Sequence, residues 1–143
     1  MFIMKLKTLT LILFIGIGLL SSCSDETNII PQEEELNGTW DLKNLSAGFA
    51  GLNENYPDGA ITWTFNPQNQ TIIIDNNQPA SEPFIFESGT YNYTVTVVNN
   101  QKYLNIDSDE YGGLTISTNS LTIDQNNISW GVGADGFILK FEK

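Results

Sequence analysis

The sequence predicts an all-β protein, an antiparallel up-and-down meander of about eight short strands closed into a barrel. Three observations carry this expectation. From Leu36 onward, apolar and polar residues alternate with a period of two, as in Ile61-Thr62-Trp63-Thr64-Phe65 and in Thr90 to Val97. Clusters of Asn, Gly, Asp, Ser and Pro separate these runs at hairpin spacing. No stretch after the first two dozen residues carries helical periodicity. A meander of this size hides its edges best by closing on itself.

Each strand can be justified in turn. Thr39 to Leu45 puts Trp40 and Leu42 on one face, with Thr39, Asp41 and Lys43 on the other. Ile61, Trp63 and Phe65 form the next apolar face, and Thr71–Ile74 follows the turn Asn66-Pro67-Gln68-Asn69. Tyr91, Tyr93, Val95 and Val97 alternate with Thr and Asn, and Asn99-Asn100 turns the chain back into Lys102–Ile106. Leu114–Ser117, Leu121–Ile123, Ile128–Val132 and Gly136–Phe141 complete the series. The inward face is expected to hold Trp63, Phe65, Tyr91, Tyr93, Val95, Tyr103 and Trp130.

The N-terminal 22 residues are of another kind. Lys5 and Lys7 precede an apolar run from Leu9 to Leu20, which ends in Ser21-Ser22-Cys23. As a helix the run would span roughly 18 Å, short of the hydrocarbon core of about 30 Å. A basic start, a short apolar run and small residues at a cut site read as a secretory signal. The cysteine after the small pair makes it resemble the lipobox of bacterial lipoproteins. That resemblance implies removal of residues 1–22, a diacylglycerol on Cys23 and anchoring by acyl chains. Residues 23–35, polar and acidic with Pro31, read as a tether, and residues 36–143 as the folded domain. Ser24-Asp25-Glu26 resembles the export signal of surface lipoproteins of the Bacteroidota. It implies display on the outer face of the outer membrane, with a periplasm-facing anchor as the alternative.

Composition narrows function. The expected mature part holds four lysines and no arginine against 17 acidic residues, a net charge of −13. Nucleic acid is excluded as a partner, and an anionic bilayer would repel the domain. There is no histidine, and Cys23 is the only cysteine. A Ser-His-Asp triad, a Cys-His pair, a histidine zinc site and an intrachain disulfide are therefore all unavailable. The carboxylates fall in the tether, in turns or at outward strand positions, so no enzyme and no cofactor is expected.

Asn37-Gly38-Thr39-Trp40-Asp41-Leu42 at the first strand and Asp135 to Phe141 at the last resemble the lipocalin-like domains of small bacterial lipoproteins. The resemblance covers roughly residues 36–143 and implies a calycin-type barrel open at one end. Gly38 and Trp40 match the opening motif, whose tryptophan closes the barrel floor. The family's arginine over that indole is missing, which leaves Lys140 as the nearby cation expected to take its place.

Two functional readings follow. Eight strands enclose an interior that side chains just fill or that holds one small ligand. In the first reading a small apolar or amphipathic molecule is bound by Phe49, Leu52 and Tyr56, from the long connection Ser46 to Gly59, with Tyr91, Tyr93, Tyr103 and Trp130. In the second, a filled barrel contacts an envelope protein or a glycan through its outer face. Asp107, Asp109 and Glu110 form the densest acidic turn of the domain, with oxygen ligands that could hold Ca²⁺. Thr118 stands where an EF-hand loop needs its bidentate Glu, so an exposed turn without metal is expected.

Overall fold

The computed structural model describes residues 34–48, 51–78 and 86–143. A 3-10 turn, Glu34–Leu36, leads into strands β1 (Gly38–Ala47), β2 (Leu52–Asn55), β3 (Ile61–Asn66), β4 (Thr71–Asn76) and β5 (Gly89–Val98). Then come β6 (Gln101–Ile106), β7 (Asp109–Ile116), β8 (Ser120–Asp124), β9 (Asn127–Ile128), β10 (Gly131–Val132) and β11 (Phe137–Glu142). Strands β3 to β8 pair in sequence, β8 pairs with β11, and β1 joins β11 to β3. Eight antiparallel strands (β1, β3 to β8 and β11) thus close into a barrel, as the alternation predicts. No α-helix occurs among the described residues.

Register explains how the apolar residues end up inside. β5 pairs with β4 through Gly89–Asn92 and with β6 through Tyr93–Val98, the stagger that tilted barrel strands require. Two irregularities re-aim side chains. In β1 the pairing with β11 shifts between Leu42 and Asn44, so Leu42 and Leu45 are both buried. Between β6 and β7, Leu104 faces Gly112 but Asn105 faces Glu110, which leaves Tyr111 as an extra residue. Two-residue hairpins at Asn99-Asn100 and Asp107-Ser108 have positive φ at both positions, the geometry that matches strand twist.

Alternating strand direction gives the barrel two ends. The lower end carries the N-terminal turn, the β3–β4, β5–β6 and β7–β8 turns and the C-terminus. Leu36 is fully buried there, and Trp40 Nε1 donates to its carbonyl at 2.7 Å. Lys102 Nζ meets Glu35 at 2.5 Å. Glu35, at the end of the expected tether, stands in the 3-10 turn that leads into β1, where it pairs with Lys102 at the start of β6.

Three expectations need correction. Ser46 to Gly59 is no open loop: β1 runs on to Ala47, and β2 returns beside it, pairing Asn44–Ala47 with Leu52–Asn55. Asn44 Nδ2 bonds Asn53 Oδ1, Asn55 Oδ1 and the Glu54 carbonyl, so polar groups that read as loop residues stitch a hairpin. Ile128–Val132 is no barrel strand, since β9 and β10 pair only with each other. Lys140 is not over Trp40, because it projects outward between the buried Leu139 and Phe141. Lys143 holds that place, 4.3 Å from the ring centre.

Candidate functional site

Large apolar side chains of the described residues pack together inside the barrel. Trp40, Leu42, Leu45, Ile61, Trp63, Phe65, Ile72, Tyr93, Leu104, Leu121, Ile123, Leu139 and Phe141 belong to one buried cluster. Phe65 meets Tyr93 edge-on, with centroids 5.2 Å apart. Two hollows lined by described residues border this cluster. One of about 160 Å³ is lined by Asn69, Gln70, Asn92, Tyr93, Thr94 and Ser108, and one of about 240 Å³ by Glu35, Ile116, Ser117 and Thr118.

The aromatic character is concentrated toward the upper end. Phe86, just before β5, packs its ring against Trp63 at 5.9 Å, Tyr91 at 4.9 Å and Tyr111 at 5.2 Å. Trp63 also meets Tyr111 at 5.9 Å and Phe141 at 5.1 Å. These spacings suit tilted and edge-to-face aromatic pairs. Phe86, Tyr91 and Tyr111 are only partly buried, as are Leu52 and Tyr56, and all five pack against the core. The cluster thus joins fully buried Trp63 to rings that are only partly buried.

Polar atoms are set among these rings. Trp63 is 0% exposed, and its Nε1 has no hydrogen-bond acceptor among the described residues. Tyr91 Oη donates to the Glu87 carbonyl at 2.9 Å. Burial raises the Tyr111 hydroxyl well above its ordinary pKa, against the lowering effect of its hydrogen bond with Gln125. Gln125 in turn accepts from the Phe137 N–H through Oε1 at 3.1 Å.

Neighbouring contacts hold the rim. Lys43 Nζ pairs with Asp58 at 2.5 Å, and Asp41 Oδ1 accepts from the Gly59 N–H at 2.6 Å. The hydrogen bond to Asp58 raises the Lys43 pKa and lowers that of Asp58. The Tyr56 N–H reaches the Lys43 carbonyl, continuing the β2 ladder.

The expected binding residues therefore separate. Tyr91 lies in the aromatic cluster, Leu52 and Tyr56 are partly buried against the core, Tyr93 is deep in the core, and Phe49 lies outside the described residues, as does Cys23. Tyr103 is not inward: it pairs with Thr96 and Gly113, on the face opposite the buried Leu104. It is nevertheless only 6% exposed, beside Gly113, where a Cβ would lie 2.5 Å from Asn127 Nδ2 of β9. Trp130 is not inward either; it is 81% exposed at the β9–β10 turn. Tyr111 and Phe86 were missed. Gly112-Gly113 signalled the irregularity that turns Tyr111 toward Trp63, whereas Phe86 lies in a connection without period.

The acidic turn serves the backbone. Asp107 Oδ1 accepts from the Asn92 N–H at 3.0 Å, and Glu110 Oε1 from the Ser129 N–H at 2.6 Å. Among the described residues, no three or more His, Cys, Asp or Glu side chains are grouped to hold a metal ion. Comparison with protein-family models, curated proteins and solved structures finds no match to this chain.

Proposed function

We propose that this chain is a non-catalytic binding module, anchored by lipid on Cys23 and displayed at the outer-membrane surface. Its ligand is a small, neutral, apolar or amphipathic molecule presenting one ring at the upper end of the barrel. The observation that carries the reading is the seating of Phe86 against Trp63, Tyr91 and Tyr111. A ring from the chain itself occupies a three-sided aromatic seat, so the seat has the shape and chemistry to take a ring. A ligand takes the place of Phe86, stacking on the three rings that now hold it. The buried Trp63 N–H favours a ligand with a hydrogen-bond acceptor, because burying a donor without a partner is costly. The net charge of −13 on the chain from Cys23 onward disfavours anions.

Titration with the neutral aromatic probe N-phenyl-1-naphthylamine tests this reading. Saturable enhancement of its emission is expected, with affinity raised at least threefold by Phe86→Ala, which removes the internal competitor. No saturable enhancement in either protein would overturn it. Metabolic labelling with an alkyne fatty acid tests the anchor: label on the wild-type chain should be absent from Cys23→Ser.

A further inference from the structure

The twelve residues between β8 and β11 do more than connect them. Asp124 and Ile138 are already paired neighbours, and a two-residue turn joins adjacent antiparallel strands. The chain instead makes an excursion, residues 125–136, whose tip carries Trp130 and Val132, 81% and 89% exposed.

This excursion is built to hold its shape. Asn126 Nδ2 donates to Asp124 Oδ1 at 3.1 Å and to the Gly136 carbonyl at 3.2 Å, while its Oδ1 accepts from the Gly136 N–H at 2.8 Å. The Gly133 N–H reaches the Asn126 carbonyl at 2.7 Å, and Glu110 Oε1 holds the Ser129 N–H. A Cβ at Gly133 would sit 2.7 Å from the Gln125 carbonyl oxygen, and one at Gly136 would sit 2.8 Å from Gln125. Only glycine fits these close approaches. A fixed, exposed Trp with a neighbouring Val is the form a preorganised binding anchor takes.

Charge identifies what covers it. From Tyr103 to Leu139 there is no lysine, while Asp107, Asp109, Glu110, Asp124 and Asp135 are all present. Glu110 and Asp124 bond directly to the excursion. A second copy of this chain or an anionic bilayer would bring like charge against this rim. We propose that the β9–β10 excursion docks into a partner protein whose apolar pocket, sized for an indole, is rimmed by Lys or Arg. This surface adjoins the aromatic seat through the Tyr111–Gln125 hydrogen bond, but Trp130 and Val132 are exposed away from it, and docking there does not require a ligand in the seat.

The site chemistry is tested first with a defined host, β-cyclodextrin carrying amino groups on its rim, and with the neutral parent. Trp130 emission should report binding at least tenfold tighter to the amino host, weakened by salt and lost in Trp130→Ala. Trp130→Phe should retain part of the binding. Equal affinity for the two hosts, or binding unchanged in Trp130→Ala, would overturn the proposal. The full chain carrying a photoreactive residue at position 130 is then irradiated in intact cells. Expected is an adduct to a protein peptide flanked by basic residues, suppressed by the amino host. Adducts only to lipid, to glycan or to another copy of this chain, or no adduct, would overturn it.

Discussion

Lys143 sets its ammonium 4.3 Å from the centre of the Trp40 ring, at the lower end of the barrel. The last residue of the chain thus closes over a tryptophan from the first strand, while Trp40 Nε1 holds Leu36 from beneath. Removing the cation in Lys143→Gln should lower stability by about 0.5–1 kcal/mol. Lys140→Gln, on the outer face, should change it by less than about 0.5 kcal/mol. Urea unfolding of the two variants checks the difference, and equal losses would refute the assignment.

The cation over Trp40 was expected from a resemblance and placed at Lys140, whereas Lys143 holds it. Alternation places Leu139 and Phe141 inward and therefore Lys140 outward, which the pattern itself already implied. The same alternation located Trp40, Trp63, Phe65 and Tyr93 correctly. It failed at Tyr103 and Trp130, where burial and exposure depend on a segment folding over the outside of the barrel. The aromatic seat was half legible. Tyr91 lay in a regular strand, whereas Tyr111 owes its position to a bulge and Phe86 to a connection, and neither has a period to read.

The cover over the outer face can be tested through Gly113. A methyl group there would meet the Asn127 side chain, with Nδ2 at 2.5 Å and Cβ at 2.9 Å. Gly113→Ala should therefore cost about 1–3 kcal/mol by overpacking. Adding Asn127→Gly should recover most of the loss, a coupling that a double-mutant cycle measures.

The three tryptophans differ sharply in access. Trp40 and Trp63 are fully buried, and Trp130 is 81% exposed. Acrylamide should quench one emission component readily and leave the rest protected. Trp130→Phe should remove the quenchable component without changing the unfolding midpoint by more than a small margin.

Tyr111 predicts an alkaline signature. Burial raises its pKa in the folded state, whereas the unfolded chain ionises near 10. The folded state therefore binds the proton more tightly above that pH. Its stabilising effect is complete below about pH 10 and falls as pH rises, at up to about 1.4 kcal/mol per pH unit for this one group. Between pH 10 and 11, Tyr111→Phe should lose less stability than the wild-type protein, as read from urea midpoints at each pH. Identical pH slopes would place the hydroxyl in solvent.

The aromatic seat itself is tested most directly by the indole N–H signals of an ¹⁵N-labelled protein, which has three tryptophans, one at the floor, one in the seat and one at the surface. Acetophenone, a neutral ring bearing a carbonyl acceptor, is titrated into the full chain. The Trp63 signal should shift saturably downfield as its N–H gains an acceptor, while the Trp40 and Trp130 signals stay in place. A Trp63 signal that remains fixed to millimolar ligand, or shifts only in step with Trp130, would contradict binding at this end of the barrel.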